Sequence, residues 1–155
     1  MVVNPTLLVL DEPTAALDVL VQATILQLLA DLRRNLGMSY IFVSHDLNVL
    51  RMLCDKVIAM YLGRIVEQAP AAHLFEHPAH PYTQALISAI PAIGGRPEAR
   101  AVLTGEPRSP IDPDPSTCRF FGRCLRQTGH CQTELPLLRT VTPSHEVACH
   151  FAQSP

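Results

Sequence analysis

The run Leu7-Leu8-Val9-Leu10-Asp11-Glu12-Pro13-Thr14-Ala15-Ala16-Leu17-Asp18 constrains this chain more than any other stretch. Four apolar residues end in two adjacent carboxylates, a short turn comes next, and a third carboxylate closes it. A short apolar run bounded by turn residues is consistent with a buried strand, and a strand followed by an acidic turn is the plainest account of it. Carboxylates at the carboxyl end of such a strand sit where open α/β sheets bind ligands. Mg²⁺ takes oxygen ligands and commonly uses one or two carboxylates plus substrate phosphates. Neighbouring residues at a strand end need not face the same way, so one carboxylate is free to meet a metal and the other an attacking water. Phosphoryl transfer demands mainly positioning and electrostatic stabilisation, so the pair suffices only where something else holds the phosphates.

The next segment extends the pattern. Val21, Ile25, Leu28, Leu29, Leu32 and Leu36 recur at helical spacing, which predicts an amphipathic helix over 19–36. Asp18 suits its N-cap and Gly37 its C-terminal end. Ser39-Tyr40-Ile41-Phe42-Val43 is rich in aromatic and β-branched residues, predicting a strand that delivers Ser44-His45-Asp46. A lone histidine after a strand is more often a structural hydrogen-bonding group than a catalytic one.

These residues together resemble the Walker B motif, D-loop and switch region of ATP-binding cassette (ABC) ATPases. The resemblance implies that Asp11 helps hold the Mg²⁺ of MgATP. It implies that Glu12 polarises the water attacking the γ-phosphate. It makes His45 the switch histidine that contacts that phosphate, and Asp18 the D-loop aspartate that communicates across an ATPase dimer. The specificity of the full string and of Ser44-His45-Asp46-Leu47 favours these roles over the structural alternatives. The fold implied is α/β: part of a P-loop NTPase-type parallel sheet with helices, plus a small Cys-rich C-terminal extension.

Organisation is set by the punctuation. Residues 1–69 alternate strand, helix, strand, helix, strand, with short strands expected at 57–61 and 65–68, and read as the C-terminal part of an ABC nucleotide-binding domain. Residues 70–91 read as two short helices started by Pro70 and Pro81 and ended by Pro91. Six prolines from Pro91 to Pro115 make 92–115 an irregular linker. Residues 116–155 form the Cys-rich extension. A formal net charge of −2 gives no reason to expect nucleic acid as the main partner. No apolar run reaches the ~18–20 residues needed to cross a bilayer, and Met1-Val2-Val3-Asn4-Pro5 lacks a charged leader, so a cytoplasmic chain is expected.

The string His77-Pro78-Ala79-His80-Pro81-Tyr82-Thr83 narrows the resemblance to the oligopeptide, dipeptide and nickel importer ATPases. The runs Cys54-Asp55-Lys56-Val57 and Tyr61-Leu62-Gly63-Arg64-Ile65-Val66-Glu67 resemble that subfamily too. Metal binding by His73, His77 and His80 is a rival reading, but Pro78 and Pro81 break any continuous helix, so a structural role is preferred.

Cys118, Cys124, Cys131 and Cys149 are spaced C-x₅-C-x₆-C-x₁₇-C, whereas Cys54 sits in an apolar helix end and reads as inert. A segment this short usually needs a disulfide, a metal or a partner to be stable, and disulfides do not suit a cytoplasmic chain. Four thiolates suit Zn²⁺ or an iron–sulfur cluster. The strings around Cys118, Cys124 and Cys149 resemble the C-terminal extension of peptide-importer ATPases, some of which carry a four-iron cluster. Iron–sulfur therefore ranks first, Zn²⁺ second, and unmetallated thiols remain open. His130, His145 and His150 are weaker candidate ligands.

Two expected motifs are missing from the sequence: the G-x-x-x-x-G-K-[ST] loop that cradles phosphates and the Leu-Ser-Gly-Gly-Gln signature. The resemblance covers nearly the whole chain but only the C-terminal half of a family member. It implies an ATP-binding, ATP-hydrolysing energy-coupling subunit of a peptide importer, inactive on its own. Its partners would be a second ABC ATPase in a homo- or heterodimer, membrane permease subunits and, indirectly, an extracytoplasmic substrate-binding protein. Its place would be the cytoplasmic face of the inner membrane, peripheral through the permease. The alternative is a truncated or split-gene module, non-catalytic and acting through its Cys₄ tail.

Overall fold

Buried backbone N–H and C=O groups must find partners, and the chain satisfies this demand with two separate sheets. The structure, a computed structural model, describes residues 5–90, 105–106, 109 and 111–152. Most of the Pro-rich segment expected at 92–115 thus lies outside the described residues. The chain falls into two compact units, Met1–Cys54 and Asp55–Pro155.

In the first unit, β1 (Leu7–Asp11), α1 (Val19–Leu36), β2 (Ser39–Val43) and α2 (Leu47–Leu53) succeed one another. β1 and β2 pair in parallel from Leu7 opposite Ser39 to Asp11 opposite Val43, as a strand–helix–strand unit must when its crossover is a long helix. α1 starts where its cap dictates: Asp18 Oδ1 accepts hydrogen bonds from the N–H groups of Leu20 and Val21, each 3.0 Å. It stops at Gly37, whose φ of 63° would strain a side chain and whose N–H donates to Arg33 O at 3.0 Å. Arg33 and Arg34 lie in the last turn, on the favourable side of the helix dipole. Leu29 is buried, and Tyr40 Oη donates to its carbonyl at 2.9 Å, tying helix to strand. The other face of the strand pair is bare: Leu7, Val9, Ile41 and Val43 are all exposed.

In the second unit, β3 (Lys56–Tyr61) and β4 (Arg64–Pro70) form a hairpin. Its two-residue loop is Leu62-Gly63, with φ of 44° and 73°, the positive-φ pair that a tight hairpin of this kind requires. A two-residue connection permits only antiparallel pairing, so the expected parallel arrangement is confined, among the described residues, to β1 and β2. Residues 56–69, grouped in the sequence reading with the strands before them, pack in the second unit instead, because β4 is paired on both sides. α3 (Ala71–Glu76) and α4 (Pro81–Ser88) come next, then α5 (Gly129–Thr133), β5 (Arg139–Thr142) and β6 (His145–Val147). β6 pairs antiparallel with β4, Glu67 opposite Val147, giving the sheet order β3-β4-β6-β5. The Cys-rich tail is therefore knitted into the same sheet as the β3–β4 hairpin.

Two apolar clusters fill this unit. One is Tyr61, Val66 and Phe120, with Tyr82, Cys118 and Cys124 against it. The other is Val147, Cys149 and Ala152, with Ala79 and Val141 against it. Between the strands and the His-Pro segment sits a fully buried carboxylate. Glu67 accepts hydrogen bonds from Ala79 N (2.7 Å), His80 N (3.0 Å) and His145 Nε2 (2.7 Å). His145 in turn meets His73 Nε2 through its Nδ1 at 3.2 Å. His80 is equally enclosed, and its Nδ1 accepts from Tyr82 N at 3.0 Å, capping α4, with Pro81 in the first helical turn.

Leaving a buried hydrogen-bond donor without its acceptor typically costs about 1–3 kcal/mol. Glu67→Ala strands three donors at once, so a loss of that order is expected, read as a lowered urea midpoint of the second unit. Burial lowers the pKa of His80 from 6.5 to about 4. Its unfolded form then binds a proton that its folded form refuses. Stability from this group is complete above pH 6.5 and is lost as pH falls toward 4, by about 3 kcal/mol in full. His80→Asn keeps a capping side chain without the titration. It should flatten the stability slope between pH 6.5 and 4 in denaturant titrations, whatever its effect at neutral pH.

Candidate functional site

The first unit brings together the residues singled out by the opening motif. Asp11 is the last residue of β1, opposite Val43. Glu12 comes next with φ of 44°, a conformation that costs a non-glycine residue free energy and persists only where its surroundings enforce it. The enforcement is visible: Glu12 N donates to Val43 O at 2.9 Å, carrying the strand pairing one residue past β1, and Ala15 N returns to Glu12 O at 3.0 Å. This turn presents the Glu12 carboxylate to His45, whose Nδ1 lies 3.1 Å from Oε1. An ionised carboxylate only accepts, so Nδ1 carries the proton that it shares with Glu12. Both side chains are exposed. The backbone around His45 is anchored on both sides: Asp46 N donates to Ser44 Oγ at 3.0 Å, and Asp46 caps α2 by accepting from Asn48 N at 2.9 Å. Asp18, six residues beyond Glu12 in sequence, is engaged in capping α1.

The arrangement can therefore do one thing chemically. A carboxylate at a strand end stands beside a second carboxylate that is hydrogen-bonded to an imidazole, on an accessible surface. The set can order a water and hold a proton, but these described residues supply no cradle of backbone N–H groups for phosphates.

The second unit gathers all four tail cysteines. Cys118, Cys124, Cys131 and Cys149 line one cavity with His80, Pro81, Phe120, Phe121, Pro136, His150 and Phe151. Cys118 N donates to Cys131 O at 2.8 Å, holding two of the bearing segments together. None is in a disulfide. Burial pushes the Cys118, Cys124 and Cys149 thiols up, and the neighbouring cysteines push them further. Opposing this, backbone N–H groups of Phe120 and Phe121 serve Cys118, that of Arg126 serves Cys124, and those of Phe151 and Ala152 serve Cys149. Donors aimed at sulfur favour the thiolate, while mutual repulsion disfavours four thiolates without a cation. Among the described residues, the ligand atoms of His130, Glu134 and His150 all come within 4.8 Å of one another.

His73, His77 and His80, the rival metal set, serve the packing. His73 lies against His77 and His145 with ring centroids 5.2 and 5.0 Å away, and His80 caps α4. Two features escaped the sequence reading. The Glu67–His145 pair joins residues 78 positions apart, and its one local signal is an acidic residue at an inward position of β4. The His130–Glu134–His150 group has the i,i+4 spacing of its first two members as its signal.

Residues 66–131 match the family described as the oligopeptide/dipeptide transporter, C-terminal region, and the chain is similar over nearly all its length to peptide-transport ATP-binding proteins. It is 46% identical over 154 residues to a di/tripeptide transport ATP-binding protein, DppF, of Pseudomonas aeruginosa, covering 99% of this chain and 47% of that protein. It is 41% identical over 154 residues to the oligopeptide transport ATP-binding protein AppF of Bacillus subtilis, covering 97% and 46%. It is 43% identical over 150 residues to the dipeptide transport ATP-binding protein DppF of Haemophilus influenzae, covering 96% and 46%. The chain thus spans about half the length of the curated relatives it matches. No helix among the described residues is long and apolar enough to cross a membrane.

Proposed function

We propose that this chain supplies the Walker B, D-loop and switch-histidine part of an ATPase subunit that drives peptide import, together with the family's C-terminal extension. The observation that carries the reading is the 3.1 Å contact between Glu12 and His45. Two residues 33 positions apart stand where one carboxylate can accept a water's proton and an imidazole can steady the other end of that water's approach. Asp11, one residue before, offers its carboxylate to Mg²⁺, which when bound with ATP supplies charge neutralisation of the phosphates. Asp18 caps α1 on the segment that reaches a second ATPase subunit. The bare face formed by Leu7, Val9, Ile41 and Val43 supports membership of a larger sheet, since parallel strands are ordinarily covered on both faces. The permease and, through it, an extracytoplasmic binding protein complete the assembly at the cytoplasmic face of the membrane.

In this reading the four cysteines hold a metal centre. The backbone N–H donors at Cys118, Cys124 and Cys149 fit the thiolate ligands of an iron–sulfur cluster. Such a centre would brace the tail or carry an electron; the four cysteines hold it and the apolar walls exclude water. About four iron and four sulfide per anaerobically prepared chain are expected; one zinc and no sulfide selects the alternative.

The functional test joins this chain to the N-terminal half of a peptide-importer ATPase such as the Pseudomonas relative. Turnover should appear, and Glu12→Gln should lower it by at least ~10²-fold, as expected for loss of a water-positioning group, while MgATP binding persists. His45→Ala should act in the same direction. Turnover that survives Glu12→Gln would remove the catalytic reading and leave a non-catalytic module.

A further inference from the structure

The second unit carries a cluster of ligating side chains that the ATPase reading does not use. His130 lies in α5, and Glu134 is its C-cap residue, four positions on. Glu134 N donates to His130 O at 3.0 Å, so the turn is closed and the two side chains share one side. His130 Nε2 is 3.9 Å from Glu134 Oε2. His150, just beyond β6, brings its ring centroid to 4.1 Å from that of His130. The ligand atoms of His130, Glu134 and His150 all lie within 4.8 Å of one another.

One ring is also anchored to the backbone. His150 Nε2 lies 2.9 Å from the carbonyl of Glu134. A carbonyl only accepts, so Nε2 carries a proton, and Nδ1 is the ring nitrogen left to face an ion. A ligating histidine ordinarily donates its other ring N–H in this way. Surface His–Glu pairs exist without metals, but a second imidazole anchored at the same point is not needed for a simple ion pair.

From this geometry we infer that His130, Glu134 and His150 form a second metal site, selective for a divalent ion of the late first transition series, with Zn²⁺ the best fit. Two imidazoles and one carboxylate suit Zn²⁺, and three protein ligands leave a fourth position for water. Mg²⁺ and Ca²⁺, which want oxygen ligands, are excluded by the donor set. The site uses none of the four thiols, but it borders them: His150 also lines their cavity, and His130 and His150 adjoin Cys131 and Cys149 in sequence. An ion here clamps α5 to the segment after β6, the two segments that carry those cysteines.

The test is Zn²⁺ calorimetry and Co²⁺ absorption on the full chain and on His130→Ala and Glu134→Gln, both exposed positions whose replacement leaves the core intact. One Zn²⁺ per chain should bind at this site. Each variant should weaken it by about 10–100-fold. Bound Co²⁺ should give d–d bands without the intense near-ultraviolet charge transfer of thiolate ligation, and excess Mg²⁺ should not compete. Absence of saturable Zn²⁺ binding, equal affinity in both variants and the full chain, or thiolate charge transfer on the first equivalent would each overturn the assignment. Metal is titrated only into chain whose cysteine centre is already filled, as its iron and sulfide content shows, so that the thiols do not compete for the added ion.

Discussion

The second unit depends on one buried carboxylate. Glu67 is wholly enclosed, and an isolated charge there would be costly, so every bond it accepts becomes obligatory. Its partners come from two distant parts of the chain: the Pro78–His80 turn through two N–H groups, and β6 through His145. The His-Pro-Tyr-Thr segment is thus held to β4 by backbone donation to a side chain. Its own His80 and Gln84 close it, Gln84 Nε2 donating to Pro78 O at 2.8 Å. Buried ion pairs add little net stability against apolar replacements. Their value lies in specificity, and here a single carboxylate fixes which turn meets which strand.

That junction also explains why the tail is not a separate appendage. β6 joins β4 as a strand of the same sheet, and Ala148 N donates to Val66 O at 2.8 Å, continuing the pairing toward Cys149. Phe120 packs on Tyr61 and Tyr82 at centroid distances of 5.2 and 5.6 Å, bringing Cys118 and Cys124 to the same core. Cysteines far apart in sequence share a cavity because the sheet and this aromatic cluster deliver them there. The proposed metal centre would stabilise an arrangement that apolar packing has already chosen.

Legibility in the sequence tracks the range of the interactions. α1 is readable to the residue because its signals are local: Asp18 before it, Gly37 after it, and apolar residues at helical spacing between. β1, β2 and the Glu12–His45 neighbourhood are readable because the motif string is specific, although the left-handed turn at Glu12 is not. β5 and β6 went unread, since four- and three-residue strands carry almost no periodicity and their turn is a Pro143-Ser144 pair with Ser144 at φ of 66°. The Glu67–His145 contact and the convergence of His150 on His130 and Glu134 depend on tertiary pairing, which no local window contains.

MgATP titration calorimetry on the 155-residue chain, alone and after joining to a Walker A-bearing half, tests most directly whether it holds the water-ordering half of a nucleotide site without the phosphate-cradling half. No saturable binding to the chain alone, and binding restored on joining, is the predicted result. Saturable MgATP binding to the chain alone would mean that phosphates are held by groups other than a Walker A loop, and would contradict that division of the site.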